Sequence, residues 1–128
     1  REKIGYRLAS QLKKDNEYIA HIKKIIEENY NESLSVDSIS KEVYLSPSYA
    51  CMLFKQETGK TINTYITDMR LKKAIELLEN EDKKIVDICM EVGYNDPKYF
   101  SKLFKKKIGK CPNDYKTEIN SRLHSNKE

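Results

Sequence analysis

The chain has 128 residues and a mass of 15.0 kDa, which suits one domain or two very small units that share a helix. Charged residues make up 34% of the chain, and no apolar run approaches the roughly 18 residues of a membrane span, so the composition predicts a soluble globular protein and excludes a membrane-spanning one. The net charge of +4 is small, so the location of the charges matters more than their total.

The cysteines and histidines give no sign of a metal site, a redox pair or a catalytic pair. Cys51, Cys89 and Cys111 are odd in number and far apart, which predicts buried or half-buried free thiols in a reducing cytoplasm, with a redox or metal role as the alternative. His21 and His124 lie at opposite ends of the chain, and no Gly-rich phosphate loop is present. We therefore expect no cofactor, no metal and no enzymatic activity.

Sparse proline and glycine predict an all-α chain of about seven helices. Prolines occur only at positions 47, 97 and 112, glycines only at 5, 59, 93 and 109, and apolar residues recur at intervals of three and four. In chain order, the predicted elements are a linker or leading helix over 1–14, a first helix-turn-helix subdomain over 15–60, a connecting helix over 61–79, a second helix-turn-helix subdomain over 80–120 and a flexible tail over 121–128.

The first subdomain begins with a helix over about 15–30, whose acidic net charge favours packing over contact with a polyanion. A short helix follows Ser35. After a tight turn, Ser46 caps the next helix, Pro47 takes its first position and Gly59 ends it. Two short helices joined by so tight a turn cross steeply, as in a helix-turn-helix.

The pattern then repeats. Residues 46–65 and 96–115 are identical at nine of twenty positions, and the preceding helices match at an offset of 49. The sequence therefore predicts two similar helix-turn-helix units. Many helical bundles use this geometry only for packing, and three pairs are predicted to be mostly core: Tyr49/Tyr99, Leu53/Leu103 and Phe54/Phe104.

The two units differ in the charge of their second helices. In the helix over 46–58, Lys55 and Glu57 cancel, whereas the helix over 96–108 has five lysines against Asp96, a net charge of +4. A solvated lysine face is one interpretation, and a helical adaptor that binds an acidic protein partner is another. Contact with DNA explains why the lysines gather on the second helix of the motif, which is the one that enters the major groove.

Two stretches of the chain resemble the DNA-binding domain of the AraC family of bacterial transcription regulators. They read SPSYACMLFKQETGKTINTYITDMRLKKAIELL and IVDICMEVGYNDPKYFSKLFKKKIGKCPNDYK, and the resemblance covers about residues 18–116. The second stretch is similar to the family signature at Ile88, Gly93, Tyr94, Tyr99, Phe100, Phe104, Lys105, Gly109, Pro112 and Tyr115. Residues 1–18 are similar to the linker of AraC-type response regulators of two-component systems, in which a receiver domain precedes this module; other sensory domains are also attached in this family.

The resemblance implies a monomeric module that places two recognition helices in successive major grooves of double-stranded DNA, about 34 Å apart. It assigns base contacts to Ser48, Cys51 and Met52 in the first unit and to Lys98, Ser101 and Lys102 in the second. It assigns phosphate contacts to Lys55, Lys105 and Lys106 and to the helix starts near Ser35 and Lys84.

The first unit departs from the family pattern. Ala50 stands where a larger apolar residue is common, and Met52 stands where an arginine or another polar residue is frequent. Cys51 and Met52 can touch thymine methyl groups but cannot form the bidentate bonds that identify guanine. We therefore expect weaker base discrimination by the first unit.

The first residue and the resemblance also lead to expectations about the whole protein. The chain begins with Arg1 and not with Met, and no signal peptide opens it, which suggests a fragment of a longer cytoplasmic regulator. In that protein we expect an upstream receiver or sensor domain, a dimer, a contact with RNA polymerase and no contact with a membrane.

Overall fold

In a computed structural model, residues 2–80 and 82–126 are described, and they form seven α-helices and no strand. The helices are α1 (Glu2–Asn29), α2 (Val36–Glu42), α3 (Pro47–Thr58), α4 (Ile62–Leu78), α5 (Ile85–Glu91), α6 (Pro97–Ile108) and α7 (Pro112–Asn126). The predicted all-α class, with two helix-turn-helix pairs joined through one long helix, is confirmed: α2 and α3 form the first pair, α5 and α6 the second, and α4 connects them along the chain.

The two ends of the chain differ from the sequence-based outline. A single helix of 28 residues, α1, replaces a separate segment over 1–14 and a helix over 15–30, because no proline interrupts this stretch. At the other end, α7 continues to Asn126, and Arg122 forms an (i, i+4) ion pair with Glu118 at 2.7 Å that supports its extension beyond residue 120. Of the predicted tail, residues 127 and 128 lie outside the described residues.

In the first pair, side-chain caps set the helix starts. Ser35 and Ser38 form a capping box at the start of α2, and the Ser46 hydroxyl accepts a hydrogen bond from the Tyr49 amide at the start of α3. Gly59, with φ of 78°, ends α3 in the left-handed conformation that lacks a steric cost only for glycine. The turn between the helices contains Tyr44, whose φ is 61°.

The second pair repeats this local chemistry. Asp96 caps α6 through hydrogen bonds from the Lys98 and Tyr99 amides, and Gly109 ends the helix with φ of 96°. Where Tyr44 occupies the first turn, Gly93 occupies the second, with φ of 109°. The two turns close with matching backbone hydrogen bonds, so the same turn geometry holds a tyrosine in one copy and a glycine in the other.

The chain divides into two compact units, Arg1–Thr67 and Asp68–Glu128, and the division falls inside α4. The core of the first unit consists of Ile19, Ile22, Ile25, Ile26, Ile39, Val43, Ala50, Leu53, Phe54, Ile62 and Ile66. The core of the second unit includes Leu71, Ala74, Leu78, Ile88, Cys89, Val92, Phe100 and Phe104. In the second unit the rings of Phe100 and Phe104 lie 5.9 Å apart, and Tyr115 meets Phe104 edge-on at 5.7 Å.

Candidate nucleic-acid interface

One face of α3 is buried and the opposite face is open. Ala50, Leu53 and Phe54 are fully or almost fully buried, and they fix the helix against the first unit. Because side chains three and four positions apart lie on the same side of a helix, the predicted base-contact residues share the other face. Ser48, Cys51 and Met52 are exposed there, and the Met52 side chain is 55% exposed despite being apolar.

The corresponding face of α6 is basic. Phe100 and Phe104 are buried, whereas Lys98 and Lys102 are exposed and lie four residues apart on one side. Ser101, the third predicted base-contact residue of this helix, is half-buried. The structure thus leaves the two lysines accessible and places the serine at the margin of the exposed face.

The lysines of α6 have no neutralising partner within the described residues. Lys98, Lys102, Lys105, Lys106 and Lys107 are all exposed, and none of them forms an ion pair with another described side chain. Lys105–Lys107 occupy the last turn, where the helix dipole favours cations. The dipole does not account for Lys98, which is the second residue of the helix and stands where a positive charge costs roughly 0.3–1 kcal/mol.

The predicted phosphate contacts lie at helix ends. Lys55 is exposed in the last turn of α3, as Lys105 and Lys106 are in α6. Lys84 is exposed and caps α5 without a side-chain hydrogen bond, which leaves the first amides of that helix open. Ser35 differs, because its hydroxyl accepts from the Ser38 amide at 3.0 Å and its own amide donates to the Ser38 hydroxyl at 3.1 Å.

The prediction that Tyr99 belongs to the core is wrong. Its side chain is 56% exposed, and its ring lies 5.9 Å from that of Tyr94. Tyr49, at the same position of the repeat, is half-buried, and its hydroxyl donates to Asp15 of α1 at 3.4 Å. Tyr99 precedes Lys102 by three residues, so helical spacing could have placed it beside the lysine face.

The three cysteines are free thiols, as predicted, but the prediction that all three are buried or half-buried is wrong for Cys51, which lies on the open face of α3. Cys51 is exposed on α3, Cys111 is half-buried, and Cys89 is buried with its thiol donating to the Tyr94 carbonyl at 3.4 Å. Burial, and secondarily the charge of Asp96, raises the pKa of the Cys89 thiol. No three His, Cys, Asp or Glu side chains cluster as metal ligands in the described part of the chain.

No helix among the described residues is both long and apolar enough to cross a membrane.

Comparison with known proteins shows the family. A family model described as a helix-turn-helix domain matches residues 39–118, which begin within α2 and include α3 and the whole second helix pair. The C-terminal domain of AraT, a response regulator from Geobacillus stearothermophilus, is 31% identical with a TM-score of 0.77, and the alignment covers 79% of this chain and 84% of that one. The chain therefore belongs to the helix-turn-helix DNA-binding domains of the AraC type, and the resemblance seen in the sequence is confirmed.

Two further similarities extend this result. The Msm operon regulatory protein of Streptococcus mutans serotype c is 38% identical over 78 residues, 61% of this chain and 28% of that protein. The chain thus spans about a quarter of the length of the curated relatives it matches. The DNA-binding domain of AdpA, a global transcriptional factor solved in complex with a target DNA, shares the fold with a TM-score of 0.77 at 21% identity, over 81% of this chain and 94% of that one.

Proposed function

We propose that this chain is the sequence-specific, double-stranded DNA-binding module of a bacterial transcription regulator, and that α3 and α6 enter successive major grooves. The observation that carries the proposal is the lysine face of α6. Lys98 and Lys102 are exposed and unpaired among the described side chains, and they lie in the first half of a helix whose dipole does not favour them. A polyanionic partner explains their position, and the AdpA complex with target DNA supports DNA as that partner.

The two helices would contribute different chemistry to recognition. Lys98 and Lys102 can donate to the O6 and N7 atoms of guanine, and Ser101 can bond to a neighbouring base or phosphate. On α3, Cys51 and Met52 offer apolar contact to thymine methyl groups, and Ser48 offers a hydroxyl. The second unit therefore supplies most of the base discrimination.

Phosphate contacts would fix each unit on the duplex. Lys55 serves the first unit, and Lys105 and Lys106 serve the second. Lys84 can approach a phosphate beside the open amides at the start of α5. Ser35 can contribute only through the amides that follow it, since its hydroxyl and amide are bonded to Ser38.

The module would act within a larger, non-enzymatic cytoplasmic protein. The matched curated relatives are about four times as long as the matched segment, and the AraT domain comes from a response regulator. We infer an upstream receiver or sensor domain, a monomeric module, a dimer in the full-length protein and a contact with RNA polymerase at the promoter. Dimerisation would place two modules on tandem sites and raise the affinity through avidity.

Selection of binding sites from random duplexes, followed by a footprint on the selected sequence, tests the proposal. We expect an enriched motif with two blocks about 10 base pairs apart, bound by one copy of the chain. The alternative is a helical adaptor whose basic face binds an acidic protein partner. That alternative predicts duplex binding without sequence preference, and a selection that enriches no motif would rule out the proposed function.

A further inference from the structure

A buried carboxylate joins α1 to the first recognition helix. Asp15 lies on α1 with only 9% of its surface exposed, and its Oδ1 atom accepts two hydrogen bonds. Gln11, one turn earlier on the same helix, donates its side-chain amide at 2.9 Å. Tyr49, in the first turn of α3, donates its hydroxyl at 3.4 Å. The three side chains form a chain of hydrogen bonds between the two helices.

Stability alone is a weak reason for a carboxylate at this position. Asp15 is the one acidic or basic residue among the buried residues of the described chain, and burial removes water from its charge. An apolar side chain of similar volume is commonly as stabilising as a buried charged group. A directional polar contact instead favours one relative position of the elements that it joins, because a hydrogen bond weakens as its partners separate or misalign.

Tyr49 is well placed to transmit that position to the DNA-facing surface. In the sequence it follows Ser48 directly and precedes Cys51 and Met52 by two and three residues, and its amide donates to the Ser46 hydroxyl at 3.2 Å. Loss of water around the phenol, followed by the Asp15 charge, raises the pKa of Tyr49, so the hydroxyl keeps its proton and remains a donor. Fixing the ring therefore fixes the turn of α3 that carries the proposed base contacts.

The second unit shows that the helix-turn-helix itself does not require this contact. Tyr99 occupies the same position of the repeat as Tyr49, yet its side chain is 56% exposed. Both helices nevertheless keep a side-chain cap at their starts, a length of 12 residues and a left-handed glycine at their ends. The hydrogen bond to Asp15 is therefore an addition to the first unit, and it joins α3 to a helix outside the repeat.

We propose that Asp15 is a positioning residue for the first recognition helix, acting through Tyr49, and that it links the position of α1 to base recognition by α3. The inference rests on the proposed function. A displacement of α1 would loosen α3 and weaken recognition by the first unit, while the second unit would be unaffected. This gives a signal that arrives through α1 a direct route to one half of the binding site.

The test uses the selected operator and two derivatives in which either half-site is scrambled. The half-site whose preference responds to Met52→Ala is assigned to the first unit, and the one that responds to Lys102→Ala is assigned to the second. Discrimination at each half-site is the ratio of the affinities for the intact and scrambled sequences. It is measured for Asp15→Ala, Tyr49→Phe, the double variant, Asp15→Asn and Glu17→Ala.

Asp15→Ala and Tyr49→Phe should each lower discrimination at the first half-site by about fivefold, the loss expected for one hydrogen bond, and the double variant should lose no more. Asp15→Asn retains an acceptor for Tyr49 and should recover most of the discrimination. Glu17→Ala removes the same charge from an exposed position of the same helix and should leave discrimination unchanged. The second half-site should not respond to any of the five variants.

Three results would overturn the inference. They are unchanged discrimination in Asp15→Ala and Tyr49→Phe, an equal loss at both half-sites, and the same loss in Glu17→Ala. Circular dichroism reports whether each variant folds, and Tyr49→Phe, which removes only a hydroxyl, decides the test if Asp15→Ala does not fold. Failure of the wild-type chain to select any operator would instead refute the proposed function and is separately recognisable.

Discussion

At the residue scale, Tyr44 has a backbone conformation that destabilises the fold. Its φ of 61° is a left-handed conformation, which costs a non-glycine residue roughly 1–2 kcal/mol, and Gly93 takes the equivalent place in the second turn. The Tyr44 side chain is 92% exposed, so burial does not offset this cost. Glycine would relieve the strain but would lose roughly 0.5–1 kcal/mol through the entropy of the unfolded chain. The strain is the larger of the two effects.

We therefore expect Tyr44→Gly to raise the free energy of unfolding by about 0.5–1 kcal/mol, measured by urea denaturation. Gly59→Ala is the matched control, because φ is 78° there and an added Cβ would meet no atom within 4 Å. It should lower the stability through backbone strain alone. A loss of stability in Tyr44→Gly would show that the tyrosine ring makes a stabilising contact that its exposure does not reveal.

The cysteines provide a chemical probe of the proposed surface. Cys51 is exposed on the side of α3 that we propose faces DNA, whereas Cys89 is buried with a raised thiol pKa. Alkylation requires an accessible thiolate, so iodoacetamide should label Cys51 first and Cys89 last in the native protein. Operator DNA should slow the labelling of Cys51 and leave that of half-buried Cys111 unchanged. Peptide mass spectrometry gives all three rates, and protection of Cys111 without protection of Cys51 would place the DNA on a different surface.

At the scale of elements, α3 and α6 have the same length and similar ends but different exposed surfaces. Each helix has a proline directly after its cap residue and ends at a left-handed glycine, but α6 carries five lysines where α3 carries Lys55 and Glu57. A lysine donating to a guanine edge discriminates by roughly 1–3 kcal/mol, and we expect an apolar contact with a thymine methyl to discriminate less. The second recognition helix should therefore dominate the selected motif.

Three variants in the selection experiment test this ranking. Lys102→Ala should relax base preference at the second half-site, because it removes a groove-facing donor. Lys106→Ala is the control for a contact with the DNA backbone. It should weaken binding to all sequences alike and reduce the slope of log affinity against log salt concentration by about one. Met52→Ala should remove less of the motif than Lys102→Ala. If Met52→Ala removes more, α3 is the principal base-contact helix and the ranking is inverted.

The sequence predicted those parts of the fold that depend on local chemistry. The starts and ends of α3 and α6 follow from Ser46, Asp96 and the two glycines, because a cap or a left-handed residue acts within one turn. The length of α1 was less accessible, since residues 1–14 show little amphipathic pattern. The exposure of Tyr99 was predicted wrongly, because identity with Tyr49 in the repeat says nothing about which helix covers each residue.

The candidate site also has a feature that the sequence predicted and a feature that it did not. The lysine face of α6 was visible in the sequence because helical spacing alone puts Lys98 and Lys102 on one side. The buried carboxylate of Asp15 was not, because it depends on the docking of α1 against α3, which are separated by more than thirty residues at the contact. Which base each residue contacts stays a prediction.

For the whole molecule, the distribution of charge matters more than its total. The helix α6 with its Asp96 cap has a net charge equal to the +4 of the entire chain, so the remainder of the chain is neutral on balance. Binding to DNA should therefore depend on a local set of lysines that displace counterions, and not on a general attraction.

The affinity for the selected operator and for a scrambled duplex, measured across salt concentration, tests the central claim most directly. Neutralisation of four phosphates by Lys55, Lys84, Lys105 and Lys106 predicts a slope of about −3.6 in a plot of log affinity against log salt concentration. The affinities for the two duplexes should fall in parallel as the salt concentration rises, with the operator bound more tightly at every salt concentration. An affinity that does not change between dilute and physiological salt, or that is equal for the two duplexes, would contradict sequence-specific DNA binding by this chain.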